Sequence, residues 1–236
     1  YSSRLMASRS ITSSASGHIG CIALSHALPK VFKGEENTEI IQRSGVWLKD
    51  LKFERGHRYL VSAESGTGKS SMCAFIYGTR TDYEGAIRFD NQDIRGYAAR
   101  DWCSLRRRNI AYLPQDMRLF PELTVLENLQ IKNRLTRTYT DARLMELLDM
   151  LGIADKASEL GAHLSVGQMQ RVAIIRALCQ PMDFLLLDEP VSHLDQRNNR
   201  VVADVIDAVA RQNGAAVIAT SVGNHLSLDF DMTISL

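Results

Sequence analysis

Apolar residues in this chain fall into two rhythms, short unbroken runs and stretches repeating every three or four positions, and the two alternate along its length. "CIALSHALPKVF" (21–32) reads as a first strand with an aromatic end. "GVWLKDLKFERGHRYLVSA" (45–63) reads as two further strands with a turn at Arg55–Gly56. A helix begins within "SSMCAFIYG" (70–78), a short strand and turn follow in "GAIRFDNQDI" (85–94), and "NIAYLPQD" (109–116) is a strand stopped at Pro114. From Met117 to Gly161 the character becomes helical. In "TDARLMELLDMLG", Leu144, Leu147, Leu148 and Leu151 form one apolar stripe that Gly152 terminates. Helix and buried strand then alternate again: "QMQRVAIIRALCQ", "DFLLLDEP", "QRNNRVVADVIDAVARQNG" and "AAVIATS", with "MTISL" as a last strand. This alternation predicts an α/β fold with a mostly parallel core sheet covered by helices, and a helical insertion at about 117–163.

Composition leaves that picture intact. The 236 residues are 45% hydrophobic and 23% charged, enough for one α/β domain over 21–236 with a subdomain. A net charge of +1 gives no bulk electrostatic reason to expect nucleic acid as a partner. The run Arg106–Arg107–Arg108 has no interleaved aromatics and reads as a solvated helix end. Cys21, Cys73, Cys103 and Cys179 are scattered without a C-x-x-C pair, which argues against a metal site or disulfide framework. His26, His57, His163 and His193 have no ligand-like spacing and read as surface or loop residues. No apolar run approaches a membrane span. Residues 1–20 are Ser-rich, with Arg4 and Arg9 and no acid, and are expected to be a flexible extension rather than a targeting segment.

The chemistry starts at "SAESGTGKSSM" (62–72), which nearly fits the phosphate-loop pattern G-x-x-x-x-G-K-[ST]. Backbone N–H groups from Ser65 to Ser71, freed by Gly66 and Gly68, would wrap phosphate oxygens. Lys69 would neutralise them, and the Ser70 hydroxyl would reach Mg²⁺. The bland alternative is a Gly/Ser turn between two core elements. Ala63 replaces the first glycine at the strand exit, where its methyl is tolerable if φ stays negative. "DFLLLDEP" then places Asp188 and Glu189 directly after four apolar residues, at the carboxyl end of a buried strand. In a parallel sheet that end faces the ligand crevice. Asp188 is thereby a candidate for Mg²⁺ and Glu189 for polarising water against a γ-phosphate. In "HLSVGQMQR", Ser165 is an N-cap and Gly167 permits close backbone approach, making a second anion site at a helix start. A second anion site is intelligible if it completes the pocket of another copy.

Taken in order, the phosphate loop at Ala63–Ser70, "YLPQD" with Gln115, "LSVGQ" at Leu164–Gln168, "LLLDEP" and "SHLD" with Asp195 resemble an ATP-binding-cassette ATPase over about residues 20–236. That resemblance implies a P-loop NTPase fold, with an antiparallel β subdomain and a helical subdomain beside the core. It implies two cassettes in a head-to-tail sandwich holding two ATP molecules. Lys69, Ser65, Gly66, Thr67, Gly68, Ser70 and Ser71 then hold phosphates, and Ser70, Gln115 and Asp188 arrange Mg²⁺. Glu189 becomes the catalytic base. Ser165, Gly167 and Gln168 act on the partner's γ-phosphate, and Asp195 couples the two sites. Phe32 matches the aromatic residue that stacks on adenine, without the hydroxyl of the usual Tyr.

Three positions depart from the family pattern: Ala63, Val166 for the signature's first glycine, and Ser221 where Thr220 should be followed by the switch histidine. Val166 demands only negative φ at the helix start. Ser221 offers a shorter neutral hydrogen bond, so slower hydrolysis is expected; His225 substitutes only if its loop folds back. The stretch "LRRRNIAYLPQDMRLFPELTVLENL" resembles the small cassettes of lipoprotein-releasing, macrolide-exporting and cell-division complexes. Those imply integral membrane subunits as partners, a second cassette as homodimer or heterodimer, and a place on the cytoplasmic face of the inner membrane. Transport and a nucleotide-gated switch with nothing transported both remain open, as does the substrate.

Overall fold

The computed structural model describes residues 17–236. These residues build two sheets. Strands β1 (Cys21–Pro29), β2 (Asp50–Glu54), β4 (Tyr83–Phe89) and β5 (Gln92–Asp93) form an antiparallel sheet in the order β2-β1-β4-β5. Strands β3 (Arg58–Ser62), β6 (Ile110–Leu113), β7 (Phe184–Asp188), β8 (Ala216–Ser221) and β9 (Met232–Ser235) form a parallel sheet in the order β6-β7-β8-β3-β9. Among the described residues seven α-helices complete the fold: α1 (Thr38–Arg43), α2 (Lys69–Ile76), α3 (Ala99–Arg108), α4 (Val125–Asn133), α5 (Asp141–Met150), α6 (Val166–Leu178) and α7 (Gln196–Asn213).

The unbroken apolar runs are the strands of the parallel sheet, and their alternate residues serve two cores. Leu185 and Leu187 pack with α4, α5, α6 and α7, whereas Phe184 and Leu186 pack with α2 and the antiparallel sheet. Both faces of β7 are therefore covered, which is why its sequence shows no polar alternation. The stripe on α5 is buried as expected, with Leu144, Leu147 and Leu148 fully inside and Leu151 beside them. The helical insertion is α4 and α5 with their connections, lying between β6 and α6 in the chain.

The two strands expected across 45–63 both form and lie in different sheets: β2 joins β1, and β3 crosses to the parallel sheet between β8 and β9. Three readings change. Residues 45–49 are not strand, because the Ser44 hydroxyl accepts the Val46 and Trp47 N–H groups and Gly45 N–H bonds Ser235 O. The strand at 21–32 stops at Pro29, and Lys30–Phe32 form a 3₁₀ turn. Arg106 is not solvated; its guanidinium donates to Tyr77 O and Gly78 O beyond α2 and lies over the Tyr77 and Trp102 rings. Arg107 and Arg108 are exposed as expected.

The extension expected over 1–20 reaches into a fixed stretch. Asp183, fully buried, accepts hydrogen bonds from His18 Nδ1, Ile19 N–H and Asn109 Nδ2 at 2.7–2.8 Å, and Arg55 Nε lies 3.1 Å from it. Residues 17–20 are thus pinned to the start of β7, and the rest of that expectation lies outside the described residues. No helix among the described residues is long and apolar enough to cross a membrane.

Candidate nucleotide-binding site

At the carboxyl end of the parallel sheet, β3 gives way to the phosphate loop beside the end of β8. Ser62 is in register with Ser221, and Ala63 N–H donates to Ser221 O at 3.1 Å. Ala63 keeps negative φ, as does Val166 in the first position of α6. Gly66 and Gly68 both adopt left-handed backbone, at φ +85° and +98°. They differ in surroundings. A methyl on Gly66 meets nothing within 4 Å, whereas on Gly68 it would lie 2.9 Å from Trp47 Cζ2 and 3.1 Å from Phe32 Cε2. Gly68→Ala is accordingly expected to lower ATP affinity far more than Gly66→Ala, which carries only the conformational cost of about 1 kcal/mol. Equilibrium binding of a fluorescent ATP analogue checks this, and equal losses would remove Trp47 from the account.

Trp47 is the residue that sequence reasoning missed. It is fully buried, and its indole N–H donates to Thr67 O at 2.8 Å, holding the loop from beneath. Thr67 Oγ1 donates in turn to Glu64 O at 2.9 Å. Phe32 meets Trp47 edge-on with ring centroids 6.3 Å apart and is only 8% exposed. Its ring is thus mostly packing under the loop, while neighbouring Val31 is 65% exposed. The signal for Trp47 was a lone aromatic in a β-like run; nothing local distinguishes it from ordinary core.

Lys69 and Ser70 open α2, whose first-turn N–H groups have no partner within the helix. Ser70 is exposed, and the Ser71 hydroxyl accepts from Arg80 Nη1 at 2.8 Å. The Lys69 ammonium is buried to 6% exposure, 3.3 Å from Glu64 O and 3.7 Å from Glu189 Oε1. Beneath it, burial and then Asp188 push the Cys73 thiol well above its usual range, with Lys69 opposing. Cys73 is therefore a neutral filler under the site.

Asp188 and Glu189 emerge from β7 as expected, and Thr220 organises both. Its hydroxyl donates to Asp188 Oδ1 at 2.8 Å and accepts Glu189 N–H at 3.2 Å. Asp188 is 2% exposed and its Oδ2 is buried with no hydrogen-bond partner among the described residues. A buried carboxylate oxygen left over in this way costs free energy unless a cation or donor meets it. It fits Mg²⁺. Glu189 sits at φ +51°, an uncommon region for a non-glycine residue that clusters at functional sites. Gln170 of α6 braces it, donating to Glu189 O at 3.1 Å and Ser192 Oγ at 3.2 Å and accepting His193 N–H at 3.0 Å.

Ser221 is 3% exposed and locked into β8. His225 does not fold back toward it; its ring lies beside Phe230 and its carbonyl accepts from Asn199 of α7. Gln115 is exposed just beyond β6. At α6, Ser165 and Gln168 close a capping box: Ser165 Oγ accepts Gln168 N–H, and Gln168 Oε1 accepts Ser165 N–H. Gly167 approaches the chain's own His193 O, which an added Cβ would meet at 3.0 Å. Asp195 caps α7 through Asn198 N–H at 2.8 Å and stays exposed. The structure thus brings Lys69, Asp188, Glu189 and Thr220 together, sets Ser221 against the entry to the phosphate loop at Ala63, and leaves Ser165 and Asp195 exposed at helix starts with Gln168 half-exposed.

A phosphate loop opening a helix, beside a buried acid at the carboxyl end of a parallel sheet, defines a P-loop nucleotide-binding protein. The family model for "ABC transporter" matches residues 49–192, and the chain belongs to that family as an ATPase cassette. It is 34% identical over 175 residues to the glutamate transport ATP-binding protein GluA of Corynebacterium glutamicum, covering 72% of each chain. It is 27% identical to the lipoprotein-releasing system ATP-binding protein LolD of Shewanella frigidimarina, over 91% of this chain and 89% of that one. A dimeric post-hydrolysis structure of the ATP-binding cassette MJ0796 bound to ADP and phosphate superposes with a TM-score of 0.69. The two are 25% identical, over 86% of this chain and 88% of that one.

Proposed function

We propose that this chain is the ATP-hydrolysing subunit of a membrane complex, peripheral on its cytoplasmic face, in which two cassettes close on ATP and drive transport or a mechanical stroke. The observation that carries the reading is the meeting of Lys69, Asp188 and Glu189 at one end of the parallel sheet, with an unpaired buried oxygen on Asp188. Lys69 and the loop from Ser65 to Ser70 hold the phosphates. Ser70, Gln115 and Asp188 would hold Mg²⁺, which when bound neutralises charge on the β- and γ-phosphates. A γ-phosphate reaching Lys69 takes over the charge now facing Glu189, freeing that carboxylate to accept a proton from the attacking water. Phe32, 8% exposed, offers adenine little ring surface. Ser165, Gly167 and Gln168 serve the partner's nucleotide through the α6 N-terminus.

Beside Gln115 a groove of about 870 Å³ runs between α2, β6, α4 and α6. It combines Tyr112, Phe120, Ile131 and Leu135 with Arg80, Arg118, Lys132 and Arg176, and none of its lining residues is acidic. This supports a membrane-subunit segment with apolar and acidic residues as its occupant. LolD and GluA are named for lipoprotein release and glutamate transport; the cargo here is set by the membrane subunit.

Ser221 supports slow turnover, which would suit a nucleotide-gated switch. The test is Mg²⁺-dependent hydrolysis over a range of protein concentrations. A rate rising faster than linearly is expected if two copies build the site; strict linearity, or no integral membrane protein co-purifying, counts against the proposal. Ser221→His is expected to raise kcat by up to about 10²-fold, the low end of what a positioned proton-transfer group contributes. No gain in a variant with unchanged Tm would refute the switch assignment.

A further inference from the structure

The loop after β6 carries backbone strain that the site's chemistry does not explain. Met117 and Arg118 are adjacent and both left-handed, at φ +57° and +52°. Two successive side-chain-bearing residues persist there only when their surroundings impose it. The Arg118 side chain does not supply the constraint, since its guanidinium turns back to Asp116 at 2.9–3.0 Å. Arg176 does. From the last turn of α6 its Nη2 donates to Met117 O at 2.6 Å and its Nη1 to Arg118 O at 2.8 Å. The planar guanidinium fork meets two successive carbonyls at once, which a lysine ammonium on a single stem does not reproduce.

The same helix begins at the Ser165 capping box and, through Gln170, braces left-handed Glu189. One 13-residue helix, about 20 Å long, therefore grips the loops of both Gln115 and Glu189 and carries the signature at its start. We infer that Arg176 is a positioning residue: it sets the backbone of the Gln115 loop and ties the place of the Gln115 amide to the position of α6. When the signature engages a nucleotide, any displacement of α6 is passed to Gln115 through two hydrogen bonds. This inference rests on the ATPase reading for its kinetic consequence, but not for its structural one.

The experiment uses the full chain and four variants: Arg176→Ala, Arg176→Lys, Gln115→Ala and the double Arg176→Ala/Gln115→Ala. Arg176→Ala is expected to lower kcat about 10-fold and to raise the Mg²⁺ concentration for half-maximal rate, with ATP KM changed about twofold or less. The double variant should be no slower than the slower single variant, the signature of residues acting as one unit. Rates falling by the product of the two single losses, or Arg176→Lys turning over like wild type, would overturn the inference.

Hydrogen–deuterium exchange separates this from failure of the ATPase reading. Met117 N–H bonds Pro114 O, and Arg118 N–H bonds Asp116 O. Arg176→Lys should accelerate exchange at these two amides at unchanged Tm. Unchanged exchange there refutes the positioning role whether or not the wild type hydrolyses ATP. Accelerated exchange with an inactive wild type would instead sink the ATPase reading and leave the clamp standing.

Discussion

Glu189→Gln is expected to reduce Mg²⁺-dependent ATP hydrolysis by about 10²- to 10⁴-fold, the usual contribution of a positioned general base. The amide keeps the shape of the carboxylate, and the features that place residue 189 are backbone ones. Its N–H meets Thr220 Oγ1, its carbonyl accepts from Gln170, and its φ is +51°. The substitution therefore removes proton-accepting capacity while leaving the loop in place. It also removes the negative charge 3.7 Å from Lys69, so ATP binding should be kept or strengthened. Single-turnover hydrolysis with size-exclusion chromatography in Mg²⁺-ATP reads both arms: slow chemistry and an accumulating dimer. A rate within tenfold of wild type would hand the base role to another group, and no dimer would undo the two-cassette arrangement.

Trp47→Ala is expected to lower stability by about 3–5 kcal/mol, the cost of emptying a fully buried aromatic site. At this chain length that corresponds to a fall in Tm of roughly 10 °C. Trp47 lies under the phosphate loop, between Phe32 and Phe75, so the cavity opens beneath Gly68. Trp47→Phe isolates the polar contribution. It keeps most of the packing and loses only the indole bond to Thr67 O, about 1 kcal/mol, while freeing the loop carbonyl to rotate. Differential scanning calorimetry should show a small shift for Phe and a large one for Ala. ATP affinity should drop in both. Undiminished affinity in Trp47→Phe would mean that the loop holds its shape from Gly66 and Gly68 alone.

Much of the site was legible because its parts are local. The strand, loop and helix of 58–76 follow one another in the chain, and Gly66 and Gly68 announce the left-handed backbone that the loop adopts. The Ser165–Gln168 capping box and the Asp195 cap are three-residue spacings. The acids Asp188 and Glu189 follow a run whose unbroken apolarity identified a doubly covered strand. Less legible was the stretch 45–49, where a β-like pattern became a turn because Ser44 and Ser235 capture its N–H groups. The anchoring of residues 17–20 is illegible for a similar reason, Asp183 lying 165 residues from His18.

By itself the sequence determined the alternation of strands and helices, the loop that can wrap phosphate, the two acids at a strand end and the helix start at Ser165. Each follows from periodicity, capping or backbone preference over a few residues, where energies depend only on near neighbours. Tertiary structure alone decided that Trp47 supports the loop from 20 residues away, that Thr220 joins Asp188 to Glu189 from 31 to 32 residues away, and that Arg176 grips the Gln115 loop from 58 to 59 away. Those contacts exist only after α6 and the parallel sheet dock. A lone tryptophan, threonine or arginine carries no local pattern that names its distant partner.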